Sequence, residues 1–380
     1  VQKSDFFGGS DPTKNVFEAL EKEYEPTLIV MPDLISKVDD YYDTCVQVLM
    51  HCQKTQSRFG LFDVNQTDLA RADVEKFRTA IGTTALNYGA AYYPWLRTSV
   101  VQANEIDFNN LADSVKLADL LPENKDKITE VLAKKDQMMK EHKAKEATAS
   151  ADELAADLNS INTNIHQSLS ALSPTYRQVM EEIRSRLNLL PPSSAMAGIY
   201  TLIDSTRGVW KAPANVSIAQ VNAPAVNISH DQQEQMNVDV IAGKSINVIR
   251  PFPGIGTLVW GARTLDGNSQ DWRYINVRRT MIMIEQSLKL ATRAYVFEPN
   301  DSGTWVTLQS MMNNFLFNLW KLGCLAGSAP EQAYDVQVGL GKTMTPNDIL
   351  DGILRVSVKV AVVRPAEFIV ITFQQMQQQA

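Results

Sequence analysis

The sequence has little cysteine and no long apolar run, and each scarcity excludes a class of protein. Its 380 residues include three cysteines, at positions 45, 52 and 324, without a C-x-x-C pair. Such a sparse, odd set excludes a disulfide framework and is typical of a chain that folds in a reducing cytoplasm. No stretch approaches the roughly 18 apolar residues of a membrane span, and the N-terminus lacks the basic and apolar regions of a signal peptide.

An excess of positive charge is also missing. Lys and Arg number 36 against 43 Asp and Glu, which gives a formal net charge of −7. This balance excludes nucleic-acid binding through bulk basicity. With 44% hydrophobic residues, the chain is expected to be ordered and to form two or three domains.

The first hundred residues alternate between apolar runs and helix-length segments. Residues 27–31, 58–64 and 88–95 are apolar or aromatic runs that predict strands, and residues 43–56 and 73–81 predict helices between them. Strands separated by helices of this length favour right-handed βαβ units. The sequence therefore predicts an α/β domain with a mainly parallel sheet covered on both faces.

Cys45, His51 and Cys52 fall within the first of these helices, with the two cysteines on one face. A structural metal site would need a fourth ligand and tighter spacing. We therefore predict that these side chains belong to the core, and no metal site is expected.

The composition from about 110 to 190 predicts a helical insertion. Lysines and acids are interspersed over residues 122–157, which indicates a solvated helical surface. Ser150 and Glu153 have the spacing of a capping box, and apolar residues then recur every three or four positions. A Ser-Pro pair at 173–174 ends that helix and begins another. We therefore predict a helical hairpin that protrudes from the α/β domain.

Several fragments resemble catalytic motifs but fail on spacing. Residues 341–343 and 243–245 end like phosphate-binding loops without the required earlier glycine, and no cofactor is expected. Residues 193–198 resemble the nucleophile segment of subtilisin-type proteases, yet none of the four histidines lies in a matching context. The N-terminus of a helix packed close to a sheet is the simpler interpretation. A subtilisin-like serine hydrolase is kept as an alternative.

Two amphipathic helices are predicted in the C-terminal half, over residues 276–294 and 304–322. The apolar side of the second helix is opposed by a face that is polar but barely charged. This face comprises Asn313, Asn314, Asn318 and Lys321.

The chain closes with two predicted strands. Residues 356–362 alternate with a period of two, and residues 367–373 are apolar on both faces before a glutamine-rich tail. An open terminal strand of this kind would be an aggregation hazard, so it must be paired. Pairing within its own sheet and donation to a neighbouring chain both satisfy that requirement.

Six segments, in order, resemble the contractile tail sheath proteins of phages and phage-like injection systems. They are PPS with AGIY (191–193 and 197–200), RGVWKAPAN (207–215), VWGARTL (259–265), WRYINVRR (272–279), FEPN (297–300) and RPAEF (364–368). Residues 8–11 and 93–95 also resemble segments of this family. The resemblance covers nearly the whole chain, and the order of the segments is more specific than any one of them.

The resemblance implies a structural protein and not an enzyme. Residues 1–255 would form an outer α/β domain that is subtilisin-like in fold without activity, and residues 256–380 an α+β domain nearer an inner tube. Subunits would assemble as stacked hexameric rings in a helical sheath, whose contraction drives the tube through a target membrane. The implied partners are copies of this chain, the inner tube protein, and baseplate and terminal cap proteins, with no nucleic acid and no direct membrane insertion.

The resemblance also assigns roles to residues of this chain. Terminal arms are exchanged between neighbours in this family, so the donated strand would comprise Phe368, Ile369, Val370, Ile371, Thr372 and Phe373. The polar face of residues 304–322 is our candidate for the tube-facing surface. Independently of the resemblance, six arginines between residues 250 and 293 make this part of the chain locally basic. Inter-subunit charge contacts are therefore expected at Arg273, Arg278 and Arg279, with internal ion pairs or ordinary surface as the alternative.

Assembly in the bacterial cytoplasm is expected, followed by function within a phage tail or tail-like particle. The family's opening arm of the Pro-Gly-Val-Tyr type is absent here, and an N-terminal arm is expected to be missing. A monomeric α/β binding module is the remaining alternative.

Overall fold

The computed structural model describes residues 15–67, 70–112, 115–117, 121, 123–145, 149–239 and 241–368. Eleven strands lie within these ranges: β1 (Leu28–Val30), β2 (Phe59–Asp63), β3 (Gly89–Tyr93), β4 (Leu96–Thr98), β5 (Leu189–Leu190), β6 (Val216–Ser217), β7 (Val221–Pro224), β8 (Ile246–Phe252), β9 (Gly256–Trp260), β10 (Tyr334–Val338) and β11 (Val356–Val360).

The α-helices of the same ranges are α1 (Val16–Glu21), α2 (Val38–Thr55), α3 (Ala70–Ala80), α4 (Lys125–Lys145), α5 (Ala151–Leu172), α6 (Pro174–Leu187), α7 (Ser193–Arg207), α8 (His230–Asn237), α9 (Ile275–Thr292), α10 (Ser302–Lys321), α11 (Pro330–Ala333) and α12 (Pro346–Leu350). Short 3-10 turns occur at Pro32–Ser36, Leu86–Tyr88, Ala103–Glu105, Phe108–Asn110 and Arg293–Tyr295.

The chain forms two compact units. Within the described ranges, the first extends over residues 15–95, 191–218 and 226–368, and the second over residues 96–190 and 219–225. The β8–β9 hairpin of the first unit has its turn at residues 253–255, where the sequence suggested a domain boundary. That boundary stays a prediction.

A six-stranded sheet organises the first unit, in the order β1-β2-β3-β8-β9-β6. The neighbouring pairs β1–β2, β2–β3 and β3–β8 are parallel, whereas the pairs β8–β9 and β9–β6 are antiparallel. Every residue of β2 and β3 is buried, so both faces of these strands are covered, as their continuous apolar runs predict. The predicted mixed α/β fold with a mainly parallel sheet is confirmed.

Helix α2 packs against β2 and begins at Val38, five residues before the predicted start. Asp39 and Asp40 occupy its first turn, where carboxylates are favoured by the helix dipole. Cys45 and Cys52 are fully buried and His51 nearly so, which confirms that they are core residues.

The C-terminal part of the first unit is a helix pair on a two-stranded sheet. Helices α9 and α10 lie within two residues of their predicted bounds, and β10 pairs antiparallel with β11. One apolar cluster joins Ile284 of α9, Leu316 of α10 and Val336 of β10. Gly323 follows α10 with φ of +82°, a conformation that ends a helix and favours glycine.

The second unit contains a three-stranded antiparallel sheet, β5-β4-β7, and helices α4, α5 and α6. The predicted capping box is present, since Ser150 and Glu153 each bind the other's backbone N–H, and the Ser173 hydroxyl caps α6. The insertion therefore has three long helices rather than a two-helix hairpin. The lysine-rich stretch supplies the additional helix, α4, whose weakly amphipathic pattern gave no clear boundary.

A buried carboxylate joins the central sheet to α7. Asp63 ends β2 and accepts hydrogen bonds from both the backbone N–H and the hydroxyl of Ser193, each at 2.6 Å. Burial raises the pKa of Asp63 to about 7, even though the bonds from Ser193 favour the ionised form. The first turn of α7 is therefore held by a group that titrates near neutrality.

We expect the stability contributed by Asp63 to depend on pH. Because the folded-state pKa is raised, this contribution is complete below the unfolded-state pKa of about 4 and is lost as pH rises to about 7. In Asp63→Asn, an amide oxygen still accepts from Ser193 and the titration is removed. The melting temperature of Asp63→Asn should therefore rise relative to the parent between pH 5 and pH 8, measured by circular dichroism. A constant difference across that range would contradict the assignment.

Candidate assembly surface

The exposed face of α10 is the first candidate surface. Asp301 caps the helix by accepting from the N–H of Thr304 at 3.0 Å. The buried stripe comprises Leu308, Met312, Leu316 and Leu319. On the opposite side, Ser310, Asn314, Asn318 and Lys321 are exposed at helical spacing, and Asn313 is half-buried at the border.

This face is almost uncharged. Lys321 is the single ionisable side chain of α10, and its Nζ lies 4.4 Å from the centroid of the Phe317 ring. Amide side chains exchange hydrogen bonds with water or with a partner at small net cost. The face can therefore form and release contacts, but its orientation towards a tube stays a prediction.

The C-terminal segment leads from β11 to the end of the described residues. Leu325 and Val362 form an antiparallel bridge just beyond β11. Glu367 and Phe368, both of them described, lie outside the strands, and the Phe368 residue is 70% exposed. The other residues proposed for the donated strand, Ile369, Val370, Ile371, Thr372 and Phe373, lie outside the described residues.

Four side chains, which we call the C-terminal anchor, meet directly before Phe368: Asn237, Arg263, Tyr274 and Glu367. Arg263 Nη2 donates to Glu367 Oε2 at 2.7 Å, and Arg263 Nε donates to Oε1 at 2.9 Å. Asn237 Nδ2 donates to Oε1 at 2.7 Å, and the Tyr274 hydroxyl donates to Oε2 at 3.0 Å. Each oxygen of the Glu367 carboxylate thus accepts hydrogen bonds from two different side chains.

The C-terminal anchor is largely buried. The Arg263 side chain is 5% exposed and that of Glu367 is 18% exposed. Burial alone would raise the pKa of Glu367, but the hydrogen bonds from Arg263 and Asn237 and the guanidinium charge hold it below its ordinary value. The sequence did not predict this group. Its only signal was that Arg263, Tyr274 and Glu367 each lie in one of the segments that carry the family resemblance.

Arg278 and Arg279 are buried and have internal partners. The Arg278 guanidinium lies 4.1 Å from the Tyr88 ring centroid and 4.7 Å from that of Trp272, and it donates to the Tyr88 hydroxyl. Arg279 binds both carboxylate oxygens of Asp204 on α7, at 2.8 and 2.5 Å. This placement favours the alternative of internal pairing for both residues.

Arg273 is half-buried, and its Nε donates to the Ser269 carbonyl at 2.9 Å. An inter-subunit role stays a prediction for Arg273 and for the other two arginines.

The serine hydrolase alternative depends on Ser193 or Ser194 as the nucleophile, and the partners of Ser193 are defined. Its hydroxyl donates to Asp63, while His51 lies next to Arg58, His142 binds Asp157 and His166 binds Tyr176. Within the described part of the chain, Ser193 therefore has a carboxylate partner in place of a histidine base.

The comparisons with known proteins identify the family. Residues 268–376 match the family model described as the phage tail sheath C-terminal domain. The sheath complex of PVC, an extracellular contractile injection system solved in its contracted state, is 30% identical with a TM-score of 0.63, and the match covers 94% of this chain and 74% of that one. The chain belongs to the contractile tail sheath family.

Further relatives of this sheath protein are structural components and not enzymes. The baseplate of the anti-feeding prophage, in a 6-fold symmetrised structure, contains a chain that is 28% identical with a TM-score of 0.62, covering 95% of the sheath protein and 71% of that chain. The tail sheath protein of Vibrio phage KVP40 is 23% identical over 190 residues. That alignment spans 50% of the sheath protein but only 27% of the phage protein.

Of the helices within the described ranges, none is both long enough and apolar enough to span a bilayer.

Substitution of the arginines separates internal from inter-subunit roles. Arg278→Ala and Arg279→Ala should each lower the free energy of unfolding of the unassembled subunit by roughly 2–4 kcal/mol, because they remove buried stacking and leave buried partners unpaired. Arg273→Ala should cost less than about 1 kcal/mol. Urea denaturation of dilute subunits measures all three. If Arg278→Ala left the stability unchanged while blocking assembly, the inter-subunit role would be supported instead.

Proposed function

We propose that this sheath protein polymerises as stacked six-fold rings around an inner tube and contracts to drive that tube through a target membrane. The observation that carries the proposal is the match over 94% of the chain to a sheath in its contracted state. The 6-fold symmetrised baseplate that contains a similar chain supports the six-fold arrangement. Non-closing contacts between identical subunits generate helical cylinders of this kind.

The central parallel sheet would form a non-catalytic, subtilisin-like outer domain. Support comes from the Asp63–Ser193 pair, which joins the carboxyl end of a strand to the N-terminus of α7. In a protease such groups would serve a histidine, whereas here they serve the packing of α7 on the sheet. The subtilisin-like fold would thus have a structural role and no catalytic one.

Neighbouring subunits would be linked by exchange of the C-terminal strand. The β10–β11 pair is a two-stranded sheet among the described residues, and such a small sheet has outer edges that can accept another strand. Residues 368–373 of a neighbour would add to one of these edges by β-augmentation. About four to six backbone hydrogen bonds at roughly 0.5–1.5 kcal/mol each would supply several kcal/mol per subunit.

The contact with the tube would be weaker than the strand exchange, because contraction requires it to break while the subunits stay linked. The exposed amide face of α10 suits this role. It offers mainly neutral polar contacts, since Lys321 is the only charged side chain of that helix.

The proposed partners are therefore copies of this chain, an inner tube protein, and baseplate and terminal cap proteins. We propose that assembly takes place in the bacterial cytoplasm before the particle acts as a phage tail or as an injection device.

Deletion of residues 369–380 tests the strand exchange. This change retains Glu367 and the described part of the fold but removes most of the donated strand. We expect folded subunits that sediment as small species and form no sheaths, observed by analytical ultracentrifugation and negative-stain electron microscopy. The full-length chain is the control.

Cylinders of normal length formed by the truncated chain would overturn the exchange proposal. A full-length chain that stays a monodisperse monomer at high concentration would contradict polymerisation itself and favour a binding module.

Paired Asn→Asp substitutions test the tube-facing role of α10. Asn314→Asp with Asn318→Asp adds two charges with almost no change of shape, and each charge would lose its water on contact with a partner. We expect fewer sheathed tubes when the variant is mixed with the inner tube protein, counted by electron microscopy. Asn159→Asp, an exposed position on α5, is the matched control and should behave like the parent. Equal yields from the two variants would contradict the assignment.

A further inference from the structure

The C-terminal anchor occupies the point at which the proposed donor strand begins. We propose that Glu367, held by Arg263, fixes the origin of that strand on the subunit and transfers tension from the neighbouring subunit to the central sheet. This inference rests on the proposed strand exchange. It adds Glu367 and Arg263 as positioning residues, which act by holding the start of the donated strand.

Arg263 is suited to this role because the central sheet holds it in turn. Its backbone N–H donates to Asn247 Oδ1 at 2.8 Å, and its carbonyl accepts from Asn247 Nδ2 at 2.8 Å. Asn247 lies on β8, and the same amide group donates to the Ala91 carbonyl of β3 at 3.2 Å. A continuous set of hydrogen bonds therefore runs from Glu367 through Arg263 to the middle of the parallel sheet.

The chain on the N-terminal side of Glu367 is held less firmly. Asn276 Nδ2 donates to the Val363 carbonyl at 3.0 Å, and Arg364 pairs with Asp271 at 3.6 Å where both side chains are exposed. An exposed pair of this length stabilises little. Without the hydrogen bonds that Glu367 accepts in the C-terminal anchor, the nearest strong attachment of the segment would be at Val363.

The consequence for the donor strand is geometric. Release of residues 364–367 would add four residues of free chain, which can span about 13 Å when extended. The origin of the donated strand could then vary by more than two strand spacings of about 4.8 Å. Binding to the neighbour would weaken, because a longer flexible connection lowers the effective concentration of the strand.

Cleavage by chymotrypsin after Phe368 measures the anchoring in the unassembled full-length subunit. A protease must extract several residues on either side of the cleaved bond, so it reports how often the segment is released. In Glu367→Gln, the shape and one carbonyl oxygen are kept but the charge is lost. We expect the product ending at Phe368 to form roughly tenfold faster, since charge-assisted bonds are replaced by neutral ones. Mass spectrometry identifies the product.

Arg364→Ala is the matched control, because it removes an adjacent and exposed ion pair and should cleave at the parent rate. Tyr274→Phe removes one hydroxyl from the C-terminal anchor and should give a smaller increase than Glu367→Gln. Circular dichroism establishes that each variant is folded at the digestion temperature, and rates are compared among folded variants.

Equal cleavage rates for the parent, Glu367→Gln and Arg364→Ala would overturn the inference. An equal increase in Glu367→Gln and Arg364→Ala would also overturn it, since the effect would not be specific to the anchor. The same variants are then examined for sheath yield, where Glu367→Gln should give shorter or fewer cylinders. If the proposed function is wrong but the anchor is real, the parent chain would form no cylinders, and the differences in cleavage rate between the variants would persist.

Discussion

The first unit depends on the hydrogen bonds made by one buried side-chain amide, that of Asn247. It lies in β8, where the chain returns to the central sheet after a long excursion, and it bonds to the backbones of Ala91 and Arg263. A buried amide is stable only when its polar groups are paired, so this residue specifies one arrangement of β3, β8 and the segment that follows β9. The anchoring of the C-terminal segment is a consequence of that arrangement.

The same requirement for pairing separates the buried contacts of the subunit from its exposed candidate surface. Groups that must stay joined are buried and charge-assisted, as at Glu367 and at the Arg279–Asp204 pair between α9 and α7. The surface proposed to release its partner is exposed and consists of amides. A subunit that exchanges contacts with its neighbours without unfolding needs both kinds of contact. The reason is that a closely packed interior transmits a displacement and does not absorb it.

The sequence predicted those elements whose signal lies within a single segment. The strands β1 to β3 and the helices α9 and α10 follow from apolar periodicity, which is visible in a window of ten to eighteen residues. Helix α4 was not resolved as a separate element, because its face towards the core is narrow and lysines and acids make up about half of its length.

The candidate site was predictable only in part. The exposed face of α10 follows from the spacing of Asn314 and Asn318, since both the helix and its apolar side can be read from the chain. The C-terminal anchor could not be predicted, because Arg263 and Glu367 lie 104 residues apart and no local pattern pairs them. Arg278 and Arg279 were recognised as cations, but the aromatic ring of Tyr88 and the carboxylate of Asp204 that surround them are brought near by the fold alone.

The nearly uncharged face of α10 has a consequence for the conditions in which such a particle could work. Dissolved salt screens interactions between charges over a distance of about 8 Å at physiological ionic strength, but it hardly alters hydrogen bonds between neutral amides. A contact made through Ser310, Asn314 and Asn318 would therefore keep nearly the same strength in fresh water, in the cytoplasm and in sea water. The threshold at which it breaks would then be set by geometry and force, and not by the surrounding medium.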